Sequence, residues 1–200
     1  MNEFITKKNN LLTKDECDKI IDWSFSNRPM DEGITKTEGY SCVTFFEKDL
    51  IELPQLYSLQ RSIAELKNLY IKEYPELNEY VSPWALDYVR IKWWIPGDHY
   101  SVWLSEHSPE EQQTLIRVAQ FLIYLSDNDA YTHFKRHDSV KSKCGCGIMF
   151  PAYYTHTHKG SICKKGLDRF IASGYLVILP PNGNSRIFNF SRWLFKRKIT

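Results

Sequence analysis

The sequence has no uninterrupted run of about 18 apolar residues, which is the length that a membrane-spanning helix requires. Its first residues lack the basic-then-apolar order of a signal peptide. Neither sign of charge predominates, since 26 Lys and Arg stand beside 24 Asp and Glu. A chain with such a balance has no net electrostatic field that would attract nucleic acid or anionic lipid. These absences predict a protein that neither crosses a membrane nor carries a clear nucleic-acid-binding signal.

Cysteine is also sparse, at five residues, and the number is odd. Without an export signal, such a set favours reduced thiols over a disulfide framework, so we expect a cytoplasmic protein. The abundant class is the aromatic side chains, which make up 14% of the chain. Such rings either fill a β-rich core or line a pocket, and composition alone leaves both open.

The order of local patterns predicts helices first and a β core after them. Thr13 and Glu16 form a capping box at the start of one helix, and a second apolar stripe at helical spacing follows. After Pro83 the period changes to two, and short strands separated by turn residues indicate a sandwich or barrel in a single domain. The predicted segments are helices over 13–27 and 56–71, a β core over 84–179, and a basic, aromatic C-terminal segment over 180–200.

His156 and His158 stand two residues apart, so an extended backbone directs both to one face. Imidazole is a common ligand of divalent transition metals, and histidines with a carboxylate and open positions suit non-haem Fe(II). The same spacing also occurs in surface pairs and in hydrogen-bonded pairs. The two histidines are therefore candidates for a metal site, with a structural role as the alternative.

Arg169 begins an apolar strand that also carries Ser173. A buried guanidinium requires an anion, because an unpaired buried charge is costly. That anion is either a bound carboxylate, with Ser173 as a hydroxyl partner, or a protein carboxylate at Asp168 or Glu106.

Further segments of the second half follow in a recognisable order. They are Pro96-Gly97, Trp103, Glu106, Tyr124-Leu125-Ser126-Asp127, Thr132, Phe134, Phe150-Pro151, His156-Thr157-His158-Lys159-Gly160 and Arg169. In this order they resemble the Fe(II)/2-oxoglutarate dioxygenases of the prolyl 4-hydroxylase type. The resemblance spans about residues 11–179. It implies an α+β fold with a mainly β core, a double-stranded β-helix (jelly roll) preceded by packing helices.

The resemblance also implies Fe(II) as cofactor, 2-oxoglutarate as co-substrate and a role for individual residues. Glu106 matches the metal carboxylate, and His158 the distal metal histidine, with His156 as the close alternative. Arg169 matches the group that binds the distal carboxylate of 2-oxoglutarate. The other positions implied for the co-substrate are Ser173, as the hydroxyl companion of the arginine, and Tyr124 or Tyr88, as an additional phenol.

Leu104 departs from the family's pattern, because it stands where the first metal histidine is expected. A leucine side chain has no lone pair to give. Three alternatives follow: His99 or His107 supplies the nitrogen through a local bulge, His156 completes a rearranged site, or iron binding is weakened or absent.

Two functions are therefore implied. The first is an oxygenase that hydroxylates a C–H bond of a peptide or small substrate. The second is a jelly-roll homologue with impaired or absent catalysis that acts as a binding or structural module. Leu104 favours the second. We prefer the first, because a module without catalysis has no evident reason to retain the anion-binding Arg169.

Overall fold

The computed structural model describes residues 3–26, 41–80, 84–97, 102–107, 114, 116–163 and 166–178. The predicted C-terminal segment over 180–200 and His99 lie outside the described residues. In chain order the helices and strands are β1 (Thr6–Lys8), α1 (Lys14–Ser26), β2 (Ser41–Phe46), α2 (Glu47–Glu52), α3 (Tyr57–Glu73), α4 (Glu76–Tyr80), β3 (Trp84–Trp94), β4 (Arg117–Tyr124), β5 (Tyr131–Phe134), β6 (Val140–Lys141), β7 (Gly147–Pro151), β8 (His158–Gly160) and β9 (Arg169–Ile178).

Both helices predicted from the sequence are confirmed to within two residues at each end. The capping box of α1 is formed in both directions. The backbone N–H of Glu16 donates to Oγ1 of Thr13 at 3.2 Å, and the N–H of Thr13 donates to Oε2 of Glu16 at 2.8 Å. The helix therefore begins where two otherwise unsatisfied donors find side-chain acceptors.

Two antiparallel sheets make up the β core. The larger has six strands in the order β1-β7-β4-β9-β3-β2, and the smaller has three in the order β6-β5-β8. The strand β9 lies between β4 and β3, so both of its edges are paired and its side chains are buried along nearly its whole length. This is the predicted jelly roll, with the helices preceding it in the chain.

The two faces of the larger sheet serve different purposes. Alternate residues such as Val89, Ile91 and Phe121 pack in one apolar cluster with α1 and α3, and all three side chains are fully buried. Each such burial stabilises the fold by about 1.5–3 kcal/mol. The residues between them in the strands, such as Trp94 and Leu122, face the smaller sheet.

Two irregularities interrupt the alternation at one end of the larger sheet. The register of β3 against β9 shifts between Leu86 and Val89, and that of β4 shifts between Arg117 and Ala119. A bulge adds one residue to a strand and redirects the side chains beyond it. As a result Arg117 points between the sheets, where Tyr88 already lies in the regular alternation of β3.

The sequence did not predict six short elements of two to six residues each, which are β1, β5, β6, β8, α2 and α4. Strands of two or three residues are too short to show a period and form because a partner strand is already in place. None of the described helices is long and apolar enough to span a membrane.

Candidate functional site

A cavity of about 410 Å³ lies between the two sheets. The described residues of its walls include one carboxylate, five cationic side chains and several rings, and strands of both sheets contribute to it. The residues that line it are Tyr88, Arg90, Lys92, Trp94, Leu104, Glu106, Arg117, Gln120, Leu122, Thr132, His158, Lys159, Gly160, Arg169, Ile171, Ser173 and Tyr175. The cavity thus brings together Glu106, His158, Arg169, Ser173 and Tyr88 of the predicted site.

Arg169 closes one end of the cavity. Its side chain is buried, at 2% relative exposure, and lies between the rings of Trp94 and Tyr124, 5.5 and 5.9 Å from the two ring centroids. Its Nη2 donates to Oγ1 of Thr132 at 3.2 Å, while Nε has no hydrogen-bond partner. No carboxylate among the described residues forms an ion pair with it, so the alternative of pairing with Asp168 or Glu106 is not realised there.

Thr132 completes this end of the cavity. Its Oγ1 accepts a hydrogen bond from the phenol of Tyr124 at 2.9 Å as well as the one from Arg169. A hydroxyl with both lone pairs engaged keeps its proton to donate. The guanidinium and the Thr132 hydroxyl therefore present donors, and no acceptor, to a group at this end, which is the pattern that a carboxylate requires.

Tyr124 contributes to this end indirectly. Its ring does not line the cavity, and burial raises the pKa of its phenol to about 12, so the phenol keeps its proton at neutral pH. That proton holds Thr132 in place. The predicted phenol partner of the co-substrate thus lies one hydrogen bond behind the cavity wall.

Glu106 and His158 converge in the middle of the cavity. Oε1 of Glu106 lies 3.7 Å from Nε2 of His158. Zinc binds each of these donor types at about 2.0–2.2 Å, so the two atoms are close enough to bind one metal ion. The Nδ1 of His158 lies 3.1 Å from the carbonyl oxygen of His156. Since a carbonyl only accepts, Nδ1 carries the proton and Nε2 presents its lone pair toward Glu106.

Burial lowers the pKa of His158 below its ordinary 6.5, and the nearby Glu106 carboxylate acts in the opposite direction. The imidazole is buried, so the loss of hydration is the larger effect and the neutral form is favoured. Neutral imidazole is the form that binds a metal. The donor atoms and their protonation therefore fit two protein ligands of an Fe(II) site.

Three further side chains hold the Glu106 carboxylate. Nε2 of Gln120 donates to Oε1 at 2.9 Å, the phenol of Tyr175 donates to Oε2, and Nη1 of Arg117 lies 3.8 Å from Oε2. Hydrogen-bonded partners of this kind orient the carboxylate ligands of metal sites. Here they also satisfy the buried charge without a metal.

Leu104 lies directly opposite His158. The two residues exchange a pair of backbone hydrogen bonds of 3.0 Å, N–H of each to the carbonyl of the other, in an isolated antiparallel bridge. Directly paired residues point to the same side, and Leu104 accordingly lines the cavity beside His158. No group of three His, Cys, Asp or Glu side chains among the described residues is placed to hold a metal ion.

Two of the three histidines proposed as replacements for Leu104 lie elsewhere, and the third, His99, is outside the described residues. His156 has its Nε2 3.0 Å from the carbonyl oxygen of Glu3 and its Nδ1 2.9 Å from the Thr155 hydroxyl, and it does not line the cavity. His107 contacts the ring of Tyr153, with 5.0 Å between ring centroids, and is also absent from the cavity wall. Of the pair in the sequence, His158 is the histidine that faces the site.

Ser173 and Tyr88 mark positions further from Arg169. Ser173 is buried and lines the cavity four residues along β9. Tyr88 lies six residues along β3 from Trp94, the residue that pairs with Arg169, which is about 20 Å at 3.3 Å per residue. Its phenol instead accepts a hydrogen bond from Nη2 of Arg117 at 3.1 Å. The structure therefore separates Tyr88 from the carboxylate site that the sequence assigned to it.

Sequence reasoning missed four residues of this site: Thr132, as a donor, and Gln120, Arg117 and Tyr175, as partners of Glu106. One signal was present, because Arg117 and Gln120 are the two polar residues of β4 among apolar and aromatic neighbours. A polar side chain in a strand that is buried on both faces needs a buried partner. The partner of Gln120 lies in another segment, and only the folded chain identifies it.

No protein-family model matches the sequence, and no curated protein matches it. Solved structures do match. The viral collagen prolyl hydroxylase of Paramecium bursaria Chlorella virus-1, solved as its 2OG complex, superposes with a TM-score of 0.69 at 17% identity, over 88% of this chain and 97% of that one. A prolyl-4-hydroxylase of Pseudomonas putida gives 0.61 at 11% identity, over 88% and 94%.

A third match is a prolyl hydroxylase of Trichoplax adhaerens, solved in complex with a peptide fragment of the oxygen degradation domain of hypoxia inducible factor. Its TM-score is 0.62 at 10% identity, over 88% of this chain and 84% of that one. This chain has the prolyl hydroxylase fold. At these identities the likeness establishes the fold, and the resemblance noted in the sequence is confirmed at that level. The roles of the site residues remain predictions.

Proposed function

We propose that this chain is a 2-oxoglutarate-dependent oxygenase of the prolyl hydroxylase type, with Fe(II) held by Glu106 and His158. The observation that carries the proposal is the buried end of the cavity at Arg169, where a guanidinium and a hydroxyl present donors with no described carboxylate to accept them. The enzymes that share the fold supply the reaction type, and the complex of one of them with a peptide supports a peptide substrate. A cytoplasmic location remains our prediction.

Each part of the cavity then has a defined task. Arg169 and Thr132 bind the far carboxylate of 2-oxoglutarate and so fix its orientation. His158, kept neutral by burial, and Glu106, oriented by its hydrogen-bond partners, hold the metal. Iron, when bound, supplies the oxidising chemistry that converts a C–H bond to an alcohol. The enclosing sheets exclude water from the reacting groups.

A second candidate function is a metal-free module that binds 2-oxoglutarate or a similar dicarboxylate. Two observations favour it. Leu104, opposite His158, has no atom that can bind a metal. The Glu106 carboxylate already has three protein partners, so it does not need a metal to compensate its burial. In this function Arg169 and Thr132 act as before, while Glu106 and His158 form a structural contact.

Two measurements separate the two candidates. The first is titration of the purified chain with 2-oxoglutarate under anaerobic conditions, with and without Fe(II). The second is an assay of succinate release in air. The oxygenase predicts that Fe(II) tightens 2-oxoglutarate binding and that succinate is formed. The metal-free module predicts equal affinity in both conditions and no succinate. An Arg169→Leu variant weakens 2-oxoglutarate binding about 100-fold in either case, because it removes a charged donor.

The Leu104→His variant tests the metal site directly. It places an imidazole opposite His158 and completes a set of two histidines and one carboxylate, so Fe(II) affinity rises by at least tenfold. Succinate release by the native chain supports the oxygenase. Release by Leu104→His alone would overturn it and leave the metal-free module. Absence of 2-oxoglutarate binding by every variant would refute both.

A further inference from the structure

Two cysteines outside the cavity lie against each other. Cys17 is a fully buried residue of α1, and Cys144 is half-buried in the turn before β7. Both side chains belong to the apolar cluster that α1 and α3 form with the larger sheet. The two thiols are within hydrogen-bonding reach, because each interacts directly with the side chain of the other. The fold thus brings together two sulfur atoms that are far apart in the sequence.

Backbone contacts hold the two cysteines in place. The N–H of Leu11, just before α1, donates to the carbonyl oxygen of Gly145 at 2.8 Å, and the N–H of Cys144 donates to Oδ1 of Asp127 at 3.0 Å. Gly145 has a φ of +74°, and a Cβ atom there would lie 2.1 Å from the carbonyl oxygen of Leu12. The turn therefore lies directly against the chain that enters α1, an approach that glycine permits. The two cysteines are held close by contacts that do not involve their thiols.

The two thiols differ in their chemistry. Burial raises the pKa of both. The contact between them adds to this effect at Cys17 and opposes it at Cys144, as expected when Cys17 donates a hydrogen bond to the sulfur of Cys144. The Lys14 ammonium also acts to lower the pKa of Cys144. Because the thiolate is the reactive form, the more exposed Cys144 is the more reactive thiol, while Cys17 keeps its proton.

We propose that Cys144 and Cys17 are a site of reversible oxidation by peroxides. The sulfur of Cys144 attacks the O–O bond of a hydroperoxide, takes one oxygen as a sulfenic acid and releases water or an alcohol. The sulfur of Cys17 then attacks that of Cys144 and displaces the hydroxyl group, which leaves as water with the Cys17 proton. Overall, two thiols are oxidised to one disulfide and the peroxide is reduced. This inference goes beyond the proposed function and does not depend on it.

The disulfide would join α1 to a turn that is hydrogen-bonded to Tyr124. The N–H of Gly145 donates to the carbonyl oxygen of Tyr124 at 2.9 Å, and the N–H of Tyr124 donates to the carbonyl oxygen of Cys146 at 2.8 Å. A cross-link between distant parts of a chain mainly restricts the unfolded state, and a longer loop increases the effect. Oxidation therefore raises the Tm and fastens α1 to the strand that carries Tyr124.

Hydrogen peroxide applied to the purified full chain tests the assignment. After alkylation of the remaining thiols, we expect mass spectrometry to identify a linked pair of peptides that contain Cys17 and Cys144. The mass of the pair is lower by two hydrogen atoms than the sum for the reduced peptides. The Tm rises by about 5–15 °C. Dithiothreitol reverses both changes.

Two variants test the order of the steps. In Cys17→Ala the sulfenic acid of Cys144 has no partner, so dimedone labels it. In Cys144→Ala we expect neither a disulfide nor a dimedone adduct at Cys17. Cys42→Ala is the matched control, since Cys42 is also a half-buried thiol, and this variant retains the linked peptides and the rise in Tm.

A native chain that remains folded in peroxide without forming the linked peptides would overturn the inference, as would a linked pair that contains a different cysteine. Dimedone labelling of Cys17 in Cys144→Ala would do the same. The peptide measurement on the native chain needs no variant, so a loss of folding in Cys17→Ala leaves it valid. Titration with 2-oxoglutarate involves neither thiol, and its failure would refute the proposed function without affecting the thiol pair.

Discussion

Arg169 shows how one buried side chain constrains function at the residue scale. A guanidinium at 2% exposure with an unpartnered Nε is costly to keep in a folded protein, because its hydration is lost without full compensation. Burial lowers its pKa, but from a value so high that the charge remains. In the function that we propose, a carboxylate bound in the cavity beside it supplies the missing partner.

The Thr132 hydroxyl gives a sharper test than the arginine, because valine has nearly the same shape. We expect Thr132→Val to weaken 2-oxoglutarate binding about tenfold to hundredfold, since a hydrogen bond to a charged group contributes about 1.5–3 kcal/mol. Tyr124→Phe removes only the hydrogen bond from the phenol to Thr132 and should weaken 2-oxoglutarate binding less. Isothermal titration calorimetry of both variants measures whether Thr132→Val weakens binding more than Tyr124→Phe. If Thr132→Val binds 2-oxoglutarate as tightly as the native chain, Thr132 does not contact the co-substrate.

The aromatic excess is also explained residue by residue. Tyr124, Phe121 and Phe150 are fully buried and fill the spaces around the sheets. Trp103, by contrast, is 40% exposed, and Nζ of Lys159 lies 4.7 Å from the centroid of its ring. Most of these rings therefore build the core, and Tyr88, Trp94 and Tyr175 are the described rings of this class that line the cavity.

At the scale of elements, the bulges in β3 and β4 decide the character of the cavity. Tyr88 and Ala85 are three residues apart, as are Arg117 and Gln120, so strict alternation would place the members of each pair on opposite faces of the sheet. Each register shift adds one residue and brings both members of the pair to the same side. Arg117 thereby reaches Glu106 and Tyr88. A sequence pattern of period two does not reveal such a shift.

The capping box of α1 provides the prediction at this scale. Thr13→Ala removes the side-chain acceptor for the Glu16 N–H and lowers the free energy of unfolding by about 1 kcal/mol. For a chain of this size that corresponds to a decrease in Tm of about 2–4 °C. Calorimetry measures it, with Asn9→Ala at an exposed position as the control. A Tm equal to that of the control would mean that packing alone positions the helix.

For the whole molecule, buried histidines link stability to pH. Burial lowers the pKa of both His156 and His158 in the folded state, whereas the unfolded chain retains the ordinary 6.5. Just below pH 6.5 the unfolded chain therefore binds more protons than the folded one. The free energy of unfolding is highest above that pH and decreases as the pH falls through the lowered values.

We accordingly expect the Tm, measured in EDTA, to decrease between pH 7.5 and pH 5. His156→Gln keeps a hydrogen-bond donor toward the carbonyl oxygen of Glu3 but has no proton to gain. The measured quantity is the decrease in Tm over the pH range, which is compared between the variant and the native chain whatever their Tm values at pH 7.5. That decrease becomes smaller in the variant, and an unchanged decrease would show that the imidazole of His156 does not contribute.

The sequence by itself determined the two main helices, the β core that follows them and several of the groups that meet in the cavity. Capping and apolar periodicity depend on neighbours in the chain, so α1, α3 and the long strands were predictable to within a few residues. The resemblance, based on spacing around Pro96-Gly97, His158 and Arg169, identified the jelly roll. It also named Glu106, His158, Arg169 and Ser173 as residues of one site, and the fold places all four in one cavity.

Only the tertiary structure decided which of two histidines faces that cavity and which groups hold its carboxylate. His156 and His158 differ in role because a short turn over Tyr154–His156 ends the alternation just before β8. Likewise Thr132 gains its importance from Tyr124 and Arg169, which lie on other strands. Such contacts depend on strand register and bulges, and these are set by packing between segments that are distant in the chain.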